Sequence, residues 1–361
     1  MSELTKTTAH LQRGMAEGLH VGVQLYVCKD HETITDLALG EARTGVAMTP
    51  QTLMPWMSCS KPIGAVAIAQ LHDRGVLDFD DLVAHHIPEF AVNGKDTITL
   101  RHLLTHTAGL RPPSPGWDER PWDEIIAAIC ATSLQPGWTP GEKAGYSAAA
   151  GWFILGEIVR RADGRPYEQY VREAIFQPLG MHDCWIGMPV ERYRACEDRI
   201  GMMHDTSRTP MSVPNLSQDE REATSCRPGG GGRGPMRELG RLYEMLLARG
   251  EDVLSAQSLG QLTARQRIGM FDNTFRHTID WGLGFIINSN RYGADSVPYG
   301  FGKHASEDTF GHGGAQSSAS FADPVHGLVV AIVWNGTPGE PKHQRRARET
   351  LTALYEDLSL I

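Results

Sequence analysis

The sequence predicts a mixed α/β (α+β) fold: a mainly antiparallel sheet built from N- and C-terminal strands, flanked by helices, with an inserted helical domain. Two observations carry this expectation. Apolar, strand-forming runs stand at 21–28 and 34–40, and again at 282–287, 318–322 and 327–334, while the middle of the chain reads mostly at helical period. At 361 residues, with 41% hydrophobic and 21% charged, the chain is long and apolar enough to bury a large core in one or two domains. If the two sets of strands share a sheet, the domain is discontinuous. The expected division is 1–90 with 236–361 as the α/β domain, and 91–235 as a mostly helical insertion whose loops rim the active site.

In chain order, residues 8–18 read as an amphipathic helix ending at Gly18. The strands 21–28 and 34–40 form a hairpin across a loop at 29–33. From Lys61 to about Arg74, the spacing of Ile63, Val66, Ala67, Gln70 and Leu71 predicts a helix. Pro62 is tolerated in its first turn and Gly75 stops it. Asp78 to Val83 opens a short helical segment ending before Pro88, and 97–110 is a short capped helix running into a turn at Gly109. Residues 111–141 are rich in Pro, Gly and Trp, and only 123–131 looks helical. Trp117 and Trp138 either rim a substrate site or pin the loop. Tyr146-Ser147-Ala148 heads a helix whose apolar face is Trp152, Leu155, Ile158 and Val159, ending at Asp163-Gly164. A helix at 166–177, an irregular stretch at 186–226 and a helix from Pro235 to Arg249 follow. The Gly229–Gly232 run lacks the following Lys-Ser/Thr of a phosphate loop and signals close backbone approach instead. After the C-terminal strands, a last helix spans about 343–358.

A net charge of −9 argues against a nucleic-acid surface and against attraction to anionic lipid. No run approaches the ~18 apolar residues that span a bilayer. The first residues lack a signal-peptide pattern and the six cysteines lack Cys-x-x-Cys spacing, so the expectation is a cytoplasmic protein with reduced, buried thiols.

The chemistry centres on Ser58-Cys59-Ser60-Lys61. Ser58 falls at the first turn of a hydrophobic helix and Lys61 lies three positions on, the spacing that shares one helix face. A hydroxyl needs a neighbour to take its proton, and a desolvated lysine amine can do so. The bland reading, a helix-capping serine and a solvated lysine, competes on the tetrapeptide alone. Cys59 faces elsewhere on the helix. His106 reads as a structural turn residue. His85-His86 and His182-Asp183-Cys184 lack metal-ligand spacing, and no Gly-x-Ser-x-Gly elbow occurs.

Several stretches in order carry a family resemblance: Ser58-Cys59-Ser60-Lys61, Leu103 to Leu110, Tyr146-Ser147-Ala148, Gly229–Gly232, His312-Gly313-Gly314 before a strand, and Phe321-Ala322-Asp323-Pro324. Over roughly residues 8–358 the sequence resembles the serine β-lactamase/penicillin-binding-protein-like superfamily, in the class C β-lactamase-related branch with the family VIII carboxylesterases. The resemblance implies a β-lactamase/transpeptidase-like fold and an acyl-enzyme. In it Ser58 is the nucleophile, and Lys61 its base, directly or through Tyr146. Tyr146 carries the proton to the leaving group, and the backbone N–H groups of Ser58 and Ala315 form the oxyanion hole. His312, Gly313 and Gly314 are the expected substrate contacts, with Trp117 and Trp138 added from the loop reading; the alternatives for His312 are that it assists Tyr146 or simply packs the strand end. Two departures matter. Ala148 replaces the asparagine of the Tyr-x-Asn motif, and His312-Gly313-Gly314 replaces Lys-Thr-Gly.

These changes resemble the esterase and acyltransferase members. The expectation is therefore a serine hydrolase of small-molecule esters needing no cofactor or metal. It would have a small ester or amide as partner, neither nucleic acid nor membrane, with homo-oligomerisation open. An acyltransferase with an alcohol or amine acceptor, a D-amino-acid amidase or peptidase, and a non-catalytic binding protein on the same fold are the alternatives.

Overall fold

The computed structural model describes residues 4–361 except Pro115 and Glu251; of Trp117 only the backbone is described. Its centre is a seven-stranded antiparallel sheet. The strands are β1 (Gly22–Lys29), β2 (Glu32–Arg43), β3 (Val46–Ala47), β4 (Ile286–Ile287), β5 (Phe310–Gly314), β6 (Ser318–Asp323) and β7 (Leu328–Trp334), in the spatial order β3-β2-β1-β7-β6-β5-β4. The N- and C-terminal strands meet at β1 and β7, with Val23 opposite Trp334 and Lys29 opposite Leu328.

Alternation along β1 divides its side chains between two cores. Val23, Leu25 and Val27 join Leu11, Ile332, Trp334, Leu351 and Leu354 beneath the terminal helices Thr5–Ala16 and Glu340–Asp357. Tyr26 and Cys28 face the larger core with Ala331, Val333, Leu239 and the helix Lys61–Asp73. On that face the helix Met236–Leu247 lies close to the sheet because Gly240 leaves room for the Tyr26 ring. A Cβ at 240 would stand 2.4 Å from a ring carbon. Gln24, a polar residue in a buried strand, is satisfied: its amide donates to the Thr52 carbonyl at 3.0 Å and accepts the Met236 N–H at 3.2 Å.

The helix Lys61–Asp73 packs on Ala150–Asp163, again through a small residue: a Cβ at Gly64 would come to 3.1 Å from the Trp152 ring. Among the described residues no helix is long and apolar enough to cross a membrane, and all six cysteines are free, Cys226 half-buried and the others buried.

Several elements differ from expectation, each for a physical reason. The first hairpin turns through two residues, Asp30 and His31, both at positive φ, so the first strand shifts by one residue, from 21–28 to Gly22–Lys29, and the second runs longer than 34–40, over Glu32–Arg43. The strand expected at 282–287 shrinks to Ile286–Ile287 because Gly284, at φ +82°, breaks the extended run. His312-Gly313-Gly314 precedes a strand, β6, as expected, but also lies within a strand of its own, β5; three glycines in five residues hide its strand character. The helix expected from Tyr146 begins at Ala150. The helical segment expected to open at Asp78 begins only at Val83 and ends, as expected, before Pro88, at His86, and the segment 166–177 passes from Tyr167–Val171 into a π-helical turn at Arg172–Phe176. The stretch 186–226 contains helices Val190–Ala195 and Leu216–Thr224, the second capped by Asn215, whose side chain accepts the Gln218 N–H. Helix Ala256–Thr263 carries no expectation from the sequence.

Candidate active site

The site begins with a sharp turn. Strand Met54–Met57 pairs with Gly232–Gly234 and ends at Met57, whose backbone sits at φ 52°, ψ −134°. For a non-glycine residue such a conformation costs on the order of 1–3 kcal/mol. The chain then makes one 3-10 turn, Ser58–Ser60, and enters the helix at Lys61. Neighbours hold the turn in place. Ser60 Oγ donates to the Met57 carbonyl at 2.6 Å and accepts the Gly232 N–H at 2.9 Å. Ser318 Oγ on β6 donates to the Trp56 carbonyl at 2.7 Å. Cys59 points into the core, its thiol on the His312 carbonyl at 3.1 Å, and burial raises its pKa. It is turned away from Ser58, as the helical geometry predicts.

Lys61 is fully buried. Its Nζ lies 3.1 Å from Ser58 Oγ and donates to the Gly229 carbonyl at 2.6 Å. Desolvation lowers its pKa from 10.5 to about 7, against a small upward pull from the Cys59 thiol. Tyr146 O–H donates to the same Ser58 oxygen at 2.8 Å. Burial raises the phenol's pKa, so it stays protonated at neutral pH. A neutral amine satisfies every partner here. One N–H bonds Gly229, and the lone pair is free to accept from the serine hydroxyl, which accepts from the tyrosine.

Tyr146 is positioned by its own loop. Its backbone N–H donates to Asp272 at 3.2 Å, and the next N–H, of Ser147, donates to His106 Nδ1 at 3.0 Å. The phenol ring packs between His106 and Phe275, each with ring centroids 4.7 Å away. His106, expected to be structural, is buried and held neutral by desolvation and by the nearby Lys61 and Arg267 charges. Its role is to fix the Tyr146–Ser147 backbone and one face of the ring.

Ser58 opens onto a cavity of about 200 Å³ lined by Met57, Ala148, Phe153, Gly229 and Ala315, with Asp118 and Arg227 bringing charge to the same wall. A larger, open cleft of about 560 Å³ lies at the far end of the Lys61 helix, by Asp73, Arg74 and Tyr170; the Ser255 hydroxyl at its wall donates to the Asp73 carboxylate at 2.6 Å. Among the described residues no cluster of three His, Cys, Asp or Glu side chains is placed to hold a metal ion.

The structure thus brings together Ser58, Lys61, Tyr146 and Ala315. It places other expected contacts elsewhere. His312 is buried under Tyr146, ring centroids 6.1 Å apart, with Nδ1 against the Gly313 carbonyl at 2.7 Å and a pKa lowered by burial to about 3. A ring nitrogen facing a carbonyl is the protonated one, so Nε2 is an acceptor. His312, Gly313 and Gly314 lead to the cavity at Ala315 without lining it. Trp138 donates its indole N–H to the Thr107 carbonyl at 3.0 Å and covers the turn at Gly109, where a Cβ would stand 2.1 Å from the indole. It pins that loop. The side chain of Trp117 lies outside the described residues. The sequence reading did not single out Phe153, Asp118 or Arg227. Phe153 sits next to the recognised Trp152, and Arg227 just precedes the glycine run; only that adjacency could have drawn attention to them.

A sequence profile described as Beta-lactamase matches residues 7–355. Esterase EstB of Burkholderia gladioli is 28% identical, over 91% of this chain and 89% of its own length. Among solved structures, a family VIII carboxylesterase superposes with a TM-score of 0.81 at 26% identity, covering 99% of this chain and 98% of its own. A penicillin-binding protein homologue from Caulobacter crescentus does so at 0.79 and 28% identity, covering 97% of each chain.

Proposed function

The chain belongs to the Beta-lactamase family and is a serine hydrolase of that family, and from this premise we propose that it cleaves small-molecule esters through an acyl-Ser58 intermediate. The observation that carries the reading is one hydroxyl, Ser58 Oγ, within 3.1 Å of a buried lysine amine and bonded by a tyrosine at 2.8 Å. The esterase and carboxylesterase relatives, and alanine at 148 in place of a side-chain amide, favour an ester over an amide.

The steps balance on these groups. Neutral Lys61 takes the Ser58 proton as Oγ attacks the ester carbonyl. The oxyanion forms beside the backbone N–H groups assigned to Ser58 and Ala315; losing one such donor costs about 2.7–4 kcal/mol of barrier. Collapse breaks the C–O bond to the leaving alcohol, which takes the Tyr146 proton, and Tyr146 is reprotonated from Lys61. Water then attacks the acyl carbonyl by the reverse relay, releasing the acid and restoring Ser58 O–H. On this reading 91–235 is an inserted unit supplying Tyr146 and Gly229, while 1–90 and 236–361 supply Ser58, Lys61 and Ala315.

Intact-mass spectrometry with p-nitrophenyl butyrate tests it. Turnover and an acyl adduct mapped to Ser58 are expected in the wild type and absent from Ser58→Ala. Full turnover by Ser58→Ala overturns the assignment. Products formed with added alcohol, or turnover confined to D-amino-acid amides, shift it to the transferase or amidase.

A further inference from the structure

The acylation chemistry leaves one cation at the Ser58 cavity unused. Arg227 lines that cavity, and it also lines an adjoining one of about 170 Å³ beside Met57, Met203 and Pro214. It is half-buried, and its Nε is fully buried with no hydrogen-bond partner. Among the described residues no carboxylate pairs with it. Asp219, the buried acid of the adjoining cavity, is taken by Arg233 at 2.6 Å and Tyr193 at 2.6 Å. A partly desolvated guanidinium without a counter-ion is costly to keep unless something occupies it.

Its main chain is fixed by the segment that holds Lys61. The N–H groups of Gly230 and Gly231 both donate to the Arg227 carbonyl, at 3.1 and 2.8 Å, while the Gly229 carbonyl accepts from Lys61 Nζ. A Cβ at Gly231 would stand 3.0 Å from Arg227 Cβ. Five residues therefore set the general base and the free cation in one rigid frame.

Resting on the acyl-Ser58 reading, we propose that Arg227 determines specificity: the site takes esters whose acyl chain ends in a carboxylate, seated on the Arg227 guanidinium while Ser58 attacks the ester carbonyl. The planar guanidinium fork matches a carboxylate. Asp118 in the first cavity and Glu222 in the second favour a monoanion over a doubly charged phosphate, which they would repel twice over. The small cavity admits only a short chain.

The test compares p-nitrophenyl hydrogen glutarate with its methyl ester, the same chain without the charge. The readout is the ratio of their kcat/KM values in wild type, Arg227→Gln and Arg227→Lys, with fluorophosphonate labelling of Ser58 run alongside. The wild type should prefer the anion by about tenfold or more, mostly through KM. Arg227→Gln should abolish the preference, Arg227→Lys should restore part of it, and added salt should weaken it. A wild-type ratio near or below one, a preference unchanged in Arg227→Gln, or labelling without turnover of either ester overturns this proposal and leaves the acyl-Ser58 reading standing. Absence of labelling and turnover in folded wild type overturns that reading, and this proposal with it.

Discussion

Lys61 is fully buried, and among the described residues no carboxylate pairs with it, so its protonation governs two measurable properties. The first is rate. Only the neutral amine can take the Ser58 proton, and its pKa is lowered to about 7. Below that value log kcat/KM for a neutral ester should fall about one unit per pH unit, with a plateau above it. No descending limb should come from Tyr146 near neutrality, because burial raises its pKa. A profile whose ascending limb sits near 10 would show that Lys61 is not the base. The second is stability. The unfolded chain holds the Lys61 proton up to about its ordinary 10.5, while the folded chain gives it up near 7. Between these values the unfolded state binds more protons, so folding stability rises with pH, and the penalty is complete below about 7. Lys61→Met, of similar shape, removes the penalty and the base together. It should be inactive, and its Tm advantage over the wild type should be larger at pH 7 than at pH 9.5, as read by paired thermal melts. A constant difference would mean that burial does not perturb this amine.

The residues work only because three elements present them: the strained turn at Met57, the loop 228–231 and the loop carrying Tyr146. The glycine loop offers the cleanest test. A Cβ at Gly229 would stand 2.8 Å from the Ala148 carbonyl and 3.1 Å from Trp152 Cβ, and neither backbone nor a buried tryptophan yields readily. Gly229→Ala should push the loop off Lys61. Because misplacement by about 1 Å costs on the order of a hundredfold, kcat should fall by roughly 10- to 100-fold, while overpacking costs about 1–3 kcal/mol of stability. Wild-type kcat in a melted-and-verified variant would show that the Gly229 carbonyl does not position the base. The same elements explain what the sequence could disclose. Ser58, Lys61 and Tyr146 were legible because they sit in short motifs whose order carries the resemblance, and the glycine run announced close approach. Met57 was not legible, since no local pattern marks a methionine forced to φ 52°. Asp118, Phe153 and Arg227 were not, because they reach one cavity from segments far apart in the chain. Helix Leu216–Thr224 was missed because it buries only Asp219 and Ala223 and so has no apolar period to read. The strand β5 was missed because its glycines pack by being small, whereas the aliphatic runs of β1 and β7 declared themselves.

At the scale of the whole molecule, strand β1 finds its partner, the central strand β7, some 300 residues later, Gln24 opposite Val333, so the sheet cannot close until nearly the entire chain is present. The terminal helices reinforce this closure: the Thr7 N–H and hydroxyl both donate to Asp357 at 2.8 Å. Ser58 sits where the two sides meet. Ser318 on β6 holds the Trp56 carbonyl, and Cys59 reaches the His312 carbonyl on β5. Tyr146 and Gly229 approach from the other side. Neither side can keep the Ser58 geometry alone, and Trp152 and Trp334, both fully buried, lie in the two cores on opposite faces of the sheet, so removing one or the other weights the fluorescence toward the opposite core. Urea unfolding should therefore be one transition. The fluorescence midpoints of a Trp152→Phe and a Trp334→Phe variant, each referred to the midpoint at which that same variant loses fluorophosphonate labelling of Ser58, should coincide within error. If labelling vanished at clearly lower urea than both fluorescence changes, the Ser58 region would open on its own. If the two variants differed in whether labelling tracks fluorescence, the chain would unfold in two cooperative units with the nucleophile belonging to one of them. Coincidence is the expected outcome, because the bonds that orient Ser58 are anchored in the sheet and in the helical layer at once.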